Sequence, residues 1–249
     1  MTKLPTKQCL AFVLSNNKFG DDSAFVTMVG ENGLFSVLAK GVYKAKSSLK
    51  PLLISGNLVK LEYKEGKDDF YLATSLLLIE DNSELLLDYQ SSCFLFFLQE
   101  LSLALFKYGD SYPYEQIYRI LKKVKDKGDL LGLSLLTVGT FFKIMGIDVN
   151  TKECVCCGKS HNIVSYDLNL GGFICKDCLK NSDIIRKDEM LLYVLRYSFK
   201  PIDDFVLNKK VPKSEGIYVL KDLVDYLVSY FSLNQIKSLS MLLQAIEGN

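Results

Sequence analysis

Residues 8–39 read QCLAFVLSNNKFGDDSAFVTMVGENGLFSVLA. This stretch contains three short runs rich in apolar and β-branched residues, 8–15, 23–29 and 34–39, separated by glycine, asparagine and aspartate. Runs of this length between such residues are typical of β-strands joined by tight turns. Two further runs, 57–63 and 70–80, continue the pattern, so the sequence predicts five strands before residue 80.

The connection between the third and fourth runs is the only long one, and residues 47–54 within it fit a short helix or turn. Five short strands with an insert between the third and fourth match the outline of an OB-fold, a small barrel whose face binds single strands. Many other small barrels share this strand count, so the count alone does not decide between them.

After residue 80 the spacing of apolar residues lengthens to a helical period, in the segments 85–106, 114–125, 129–145, 188–199 and 214–246. The predicted fold class is therefore α+β, with a five-stranded barrel followed by an α-helical domain. We place the domain boundary at the change of pattern, which gives domains 1–80 and 81–249.

Five of the seven cysteines lie within 25 residues of one another, at positions 154, 156, 157, 175 and 178. Two residues separate Cys154 from Cys157, and two separate Cys175 from Cys178, a spacing that is typical of a tetrahedral zinc site in a reducing compartment. A hairpin formed by the intervening residues brings the two pairs together. Cys156 offers a third thiol for two places in the first pair, and the two-residue spacing favours Cys154 and Cys157.

Four thiolates close the coordination shell of a zinc ion and leave no position for a reacting water. The sequence therefore predicts one structural Zn²⁺, held in a module at about residues 151–181 that is inserted in the helical domain. An enzyme is disfavoured, because the chain has a single histidine and lacks the glycine-rich phosphate-binding patterns of nucleotide enzymes.

The 249 residues are 49% hydrophobic and carry 30 basic against 29 acidic side chains. A globular protein without bulk positive charge is expected, so any binding of nucleic acid depends on a local basic patch. The longest apolar stretch, residues 130–142, is shorter than the ~18 residues that a membrane span needs. The N-terminus lacks the features of a secretory signal, and we expect a cytoplasmic protein.

A local basic patch follows the third predicted strand. No acidic residue occurs between Glu31 and Glu62, whereas this interval contains five lysines. Ammonium groups spaced in this way can neutralise successive phosphates, and an aromatic ring among them can stack on a base. The candidate nucleic-acid-binding residues are Lys40, Tyr43, Lys44, Lys46 and Lys50. The alternative is a lysine-rich turn that is simply solvated.

Several features in this order resemble the bacterial RecO recombination mediator family. They are the loop LAKGVYKAKSS at residues 38–48, the knuckle from Cys154 to Gly158, the segment GGFIC at 171–175, and IKSL at 236–239. The resemblance implies an N-terminal OB-fold and a helical domain that carries a zinc module. It implies binding of single- and double-stranded DNA, annealing of complementary strands, contact with the tail of single-strand-binding protein, and loading of RecA together with RecR.

Carried over by position, the resemblance implies that Lys40, Lys44, Lys46 and Lys50 face DNA. It likewise implies that the zinc ligands are Cys154, Cys157, Cys175 and Cys178, and that the protein associates with the nucleoid. Two other functions fit the residues alone. One is an RNA- or ribosome-associated OB-fold with a zinc site, and the other, disfavoured, is a thiol oxidoreductase built on Cys156 and Cys157.

Overall fold

The computed structural model describes residues 6–31, 33–66, 71–106, 114–180, 184–207 and 209–248. The chain divides into two compact units, Met1–Leu121 and Lys122–Asn249. The predicted division at residue 80 remains a prediction; in the structure, the first helix after the barrel and most of the second are grouped with the strands.

The first unit contains a closed five-stranded barrel. Its strands are β1 (Lys7–Phe19), β2 (Ser23–Gly30), β3 (Gly33–Ala39), β4 (Leu58–Glu65) and β5 (Tyr71–Glu80). They are hydrogen-bonded in the order β1-β2-β3-β5-β4, and β1 pairs with β4 to close the barrel. Every pair is antiparallel except β3 with β5. The predicted OB-fold is confirmed, and Phe70 of the fifth predicted run lies outside the described residues.

Alternating side chains fill the interior of the barrel. Val26, Met28 and Val37 are completely buried there. Irregularities in pairing, one in β1 between Val13 and Ser15 and others between β4 and β5, shift the register. Such bulges increase the bend and twist of a strand, which lets as few as five strands close into a barrel.

The long connection between β3 and β4 ends in a short 3-10 helix, Lys50–Leu53, as the prediction for residues 47–54 expected. Three apolar side chains of this connection, Val42, Leu49 and Leu52, are buried in the barrel core. The connection is therefore anchored to the barrel at several points along its length.

Short 3-10 turns occur at Ser83–Leu86 and Ile202–Asp204. The helices are α1 (Tyr89–Leu105), α2 (Tyr114–Lys125), α3 (Leu130–Ile144), α4 (Lys176–Leu179), α5 (Glu189–Ser198), α6 (Lys213–Tyr230) and α7 (Ser238–Glu247). A two-stranded sheet, β6 (Ile163–Asp167) with β7 (Gly172–Cys175), lies between α3 and α4. Within the described residues, no helix is both long enough and apolar enough to cross a membrane.

The prediction of one helix over 214–246 is wrong, because the chain leaves the helical conformation between α6 and α7. Ser232 has a left-handed backbone with φ +51°, and the N–H of Leu233 donates to the C=O of Val228 at 2.8 Å. This is the Schellman arrangement that ends a helix. Apolar periodicity continues across the break, which is why the pattern alone reads as a single helix.

In the second unit, α3 is buried along almost its whole length and packs against α5 and α6. Gly139 allows α3 and α5 to approach closely. A Cβ atom on this residue would lie 1.8 Å from the carbonyl oxygen of Ser198 in α5. The backbones of the two helices therefore meet directly at this point.

Candidate metal centre and nucleic-acid interface

The sulfur atoms of Cys154, Cys157, Cys175 and Cys178 all lie within 4.8 Å of one another. One pair, Cys157 and Cys175, is 3.6 Å apart. Four sulfurs at ~2.3 Å from a tetrahedrally coordinated zinc ion are separated by about 3.8 Å. The four side chains can therefore hold a metal ion after small movements.

The first pair of thiols lies in a tight turn. The N–H of Gly158 donates to the C=O of Cys154 at 2.8 Å, and the N–H of Cys154 donates to the C=O of Lys159, also at 2.8 Å. Gly158 has φ +74°, a left-handed conformation that glycine adopts without strain. This glycine therefore lets the backbone fold back directly after the second cysteine.

The second pair of thiols lies where β7 ends and α4 begins. Cys175 is the last residue of β7 and Cys178 lies in α4. The β6–β7 hairpin, which the sequence predicted, carries this pair back to the first turn, and the N–H of Val155 donates to the C=O of Phe173 at 2.8 Å.

The paired glycines 171 and 172 join the hairpin to the segment after α3. Gly172 has φ +144°, and a Cβ atom on it would lie 2.2 Å from the carbonyl oxygen of Asn150. Hydrogen bonds on both sides fix this contact. The N–H of Asn150 donates to the C=O of Gly171 at 2.8 Å, and the N–H of Phe173 donates to the C=O of Asn150 at 2.9 Å.

The surroundings of Cys154 favour the thiolate. Its burial by itself raises the pKa, but the backbone N–H groups of Cys175, Cys156 and Cys157 outweigh this effect and lower the pKa of Cys154 to about 6. Thiol hydrogen bonds to Cys157 and Cys175 raise the pKa of Cys178. Stabilised negative charge on a buried sulfur is the property that a metal ligand requires.

Two neighbouring side chains stand apart from the four-sulfur group. Cys156 is exposed, and partial desolvation of its thiol by the protein, together with the nearby Cys154 charge, raises its pKa. His161 is also exposed and does not belong to the group. Of the three thiols in the first turn, the two with the two-residue spacing are the ones brought together with Cys175 and Cys178.

The lysine-rich loop follows β3 and projects its charges into solvent. Because Val42 and Leu49 are buried in the barrel, the polar side chains between them are turned outward. Gly41 begins the loop with φ +68°, and its N–H donates to the Ser23 hydroxyl at 3.3 Å. The candidate residues Lys40, Tyr43, Lys44, Lys46 and Lys50 are all exposed.

Three of these lysines line one concavity of about 460 Å³, which we call the lysine concavity. It is formed by Asp22, Ser23, Lys40, Gly41, Lys44, Lys46 and Ser47. Lys50 is not among its lining residues, and its Nζ donates to the C=O of Ala45 at 2.8 Å. The structure therefore brings Lys40, Lys44 and Lys46 together and leaves Lys50 bracing the loop.

Two residues near the loop were not predicted from the sequence. Asp22, in the turn between β1 and β2, lies 3.1 Å from the Nζ of Lys44, and a hydrogen bond from Lys44 lowers the pKa of Asp22. Lys18 of β1 places its Nζ 5.9 Å from the centre of the Tyr43 ring. Both precede the loop by some twenty residues, and only the pairing of β1, β2 and β3 brings them to it.

The chain combines a closed OB-fold barrel that carries an exposed lysine loop with a helical unit that carries a four-cysteine centre. The class of protein is therefore a two-unit OB-fold protein with a candidate metal centre. Residues 1–80 match the family model described as Recombination protein O N terminal. DNA repair protein RecO of Thermoanaerobacter sp. (strain X514) is 24% identical over 233 residues, which cover 89% of each chain.

Two further relatives carry the same name. DNA repair protein RecO of Syntrophomonas wolfei subsp. wolfei is 25% identical over 171 residues, 68% of each chain. The protein of that name from Oceanobacillus iheyensis is 21% identical over 227 residues, 85% of this chain and 83% of its own. The match of residues 1–80 to this family model, and the RecO relatives that cover most of the chain, confirm the resemblance seen in the sequence.

Proposed function

We propose that this protein is a DNA repair and recombination mediator that binds single- and double-stranded DNA and anneals complementary strands. In the same proposal it acts with RecR to load RecA onto DNA coated by single-strand-binding protein, whose C-terminal tail it contacts. The observation that carries the DNA-binding part is the lysine concavity, in which three exposed ammonium groups converge on one side of an OB-fold barrel.

Annealing requires two polyanions to approach each other. Lys40, Lys44 and Lys46 neutralise adjacent phosphates of a strand and so lower this repulsion. Contacts to phosphates position a strand without engaging its base edges, which stay free to pair. No covalent step is needed.

Tyr43 adds a contact of a different kind. Its ring is 39% exposed, with the ammonium group of Lys18 5.9 Å from the ring centre. A base that stacks on an exposed aromatic ring gains ~1 to 3 kcal/mol, largely independent of sequence. In the proposal this ring holds one base beside the phosphates bound in the lysine concavity.

Cys154, Cys157, Cys175 and Cys178 are the proposed ligands of a single Zn²⁺. Bound there, the ion supplies folding free energy and no Lewis-acid chemistry, because four thiolates complete its coordination. The chain's own contribution is the pair of tight segments that bring the sulfurs together, joined by the β6–β7 hairpin. A cytoplasmic, nucleoid-associated location follows from the proposed role.

Strand annealing tests the proposal. Two complementary oligonucleotides, one labelled with a donor and one with an acceptor dye, are mixed with the protein, both bare and coated with single-strand-binding protein. We expect the protein to accelerate annealing of both, and Lys40→Glu with Lys46→Glu to abolish the acceleration while the circular dichroism spectrum is retained.

The control removes two charges from another part of the same barrel. Lys7 lies at the start of β1, opposite Tyr63 of the neighbouring strand β4, and Lys64 is the residue after Tyr63. Lys7→Gln with Lys64→Gln should anneal like the wild type. Annealing that persists in the Lys40 and Lys46 variant, or tighter binding of RNA than of DNA, would overturn the proposal.

A further inference from the structure

Two lysine-bearing segments lie against each other in the unit formed by residues 122–249, although they are about 80 residues apart in the sequence. We call their lysines the second lysine cluster. Its members are Lys122, Lys123, Lys125, Lys127, Lys209 and Lys210. Neither segment was singled out from the sequence, because the two are distant along the chain and short individually.

Two contacts hold the segments against each other. Gly128 lies so close to Phe205 that a Cβ atom on the glycine would be 2.5 Å from the ring, and the side chain of Leu207 is next to it. One residue further along, the Asp129 carboxylate accepts a hydrogen bond from the N–H of Val211 at 2.8 Å. Lys127 directly precedes the first contact, and Lys209 and Lys210 lie between the residues that make the two contacts.

The helix that carries the first segment turns its lysines away from the core. Ile120, Leu121 and Val124 form the buried stripe of α2, whereas Lys122 is exposed and Lys123 and Lys125 are half-buried. An α-helix rises 1.5 Å per residue, so these three lysines lie within about 4.5 Å along its axis. Lys127 is exposed in the turn that follows the helix, with φ +52°.

The second segment adds exposed cations and a ring. Lys209 and Lys210 are both exposed, and the Nζ of Lys209 lies 5.4 Å from the centre of the Tyr193 ring. The acidic side chains in or beside the two segments are Asp126, Asp129, Asp203 and Asp204, and the Asp129 carboxylate accepts from the Val211 N–H. The six lysines outnumber these four acids in a chain whose formal net charge is only +1.

We propose that the second lysine cluster binds the phosphate backbone of a nucleic-acid strand, separate from the strand bound at the lysine concavity. A line of cations next to an aromatic ring is the combination that single-strand surfaces use. This inference rests on the proposed function and deepens it: annealing involves two strands, and the two compact units each present a cationic surface. An acidic peptide is the competing occupant.

The number of strands per chain tests this proposal. A 12-nucleotide oligo-dT, too short to fold on itself, is added in excess at about 50 mM salt and the complexes are weighed by native mass spectrometry. We expect two strands per chain for the wild type and one for Lys209→Glu with Lys210→Glu, whose affinity for the second strand falls at least ~10-fold. Lys152→Glu with Lys221→Glu, two exposed lysines elsewhere in this unit, should keep two strands.

The barrel variant Lys40→Glu with Lys46→Glu separates this proposal from the proposed function. Each double variant should bind one strand, and the combination none. Two strands bound by the Lys209 and Lys210 variant would overturn the second surface and leave the first untouched. If the Lys209 and Lys210 variant keeps both DNA strands but no longer binds a poly-glutamate dodecamer, the ligand of this surface is an acidic peptide and not a nucleic-acid strand. If the barrel variant retains two strands, the proposed function fails instead.

Discussion

Replacing Cys175 by serine is the substitution that tests the metal centre. Cys175 is buried and lies where β7 ends, 3.6 Å from the sulfur of Cys157. Serine keeps the size of the side chain but removes a thiolate ligand. We expect zinc content to fall from one per chain to nearly none, because three thiolates hold zinc far less tightly than four.

The size of the effect follows from what else holds the turn. Ordering the ten residues 152–161 costs ~1 to 2 kcal/mol each in backbone entropy, about 15 kcal/mol in all. Five backbone N–H groups of this stretch donate hydrogen bonds, those of Lys152, Glu153, Cys154, Val155 and Gly158, and each bond contributes about 1 kcal/mol. The remaining ~10 kcal/mol falls at the lower end of the ~10 to 16 kcal/mol that structural zinc supplies. Without the metal the turn therefore unfolds locally.

Hydrogen exchange monitored by mass spectrometry measures this local unfolding. In the Cys175→Ser variant, amides at residues 154–158 should exchange at nearly unfolded rates, while those of the barrel keep their protection. Cys156→Ser is the matched control, since its thiol lies outside the four-sulfur group, and it should retain one zinc and full protection. Full zinc content in Cys175→Ser, or zinc loss in Cys156→Ser, would refute this ligand set.

Three further predictions concern other parts of the chain. Gly139→Ala should destabilise the second unit by ~2 to 4 kcal/mol in denaturant unfolding, because its Cβ would collide with the Ser198 carbonyl; a loss below 0.5 kcal/mol would contradict the close approach of α3 and α5. Asp22→Asn should tighten DNA binding about twofold to threefold at low salt and have no effect at high salt, since it removes the acid that lies beside Lys44; weaker binding would mean that Asp22 positions the lysine. Burial raises the pKa of Cys9 to about 11, so at pH 8 only ~0.1% of this thiol is thiolate. Iodoacetamide should therefore modify Cys9 at least ~100-fold more slowly than it modifies glutathione. Comparable rates would show that this thiol is open to solvent.

The sequence predicts the barrel well because its signals are local. Short apolar runs and turn residues define the five strands, and the structure confirms them within a few residues. The parallel pairing of β3 with β5, in contrast, joins distant segments and is limited to Val37 with Tyr71 and Leu38 with Leu72. No residue pattern specifies this pairing, which depends on closure of the whole barrel.

The candidate sites show the same division between local and distant information. Cysteine spacing alone predicts the four sulfurs that meet. Lysine spacing predicts the charged loop, but it cannot predict that Asp22 pairs with Lys44 or that Lys50 bonds to the loop backbone. The helix break at Ser232 was missed because the apolar period continues through it, and the second lysine cluster because its halves meet only in the folded chain.

The salt dependence of single-strand binding tests the central claim most directly. The dissociation constant for a 12-nucleotide oligo-dT is measured between about 50 and 500 mM salt, in the Lys209→Glu and Lys210→Glu background that leaves only the barrel surface. Three phosphate contacts from Lys40, Lys44 and Lys46 predict that the logarithm of the association constant, the reciprocal of the dissociation constant, falls with log salt at a slope near −2, at roughly −0.7 per contact. Adding Lys40→Gln and Lys46→Gln should reduce the slope to about −0.7. A slope near zero before these changes, or one that they leave unaltered, would contradict the account.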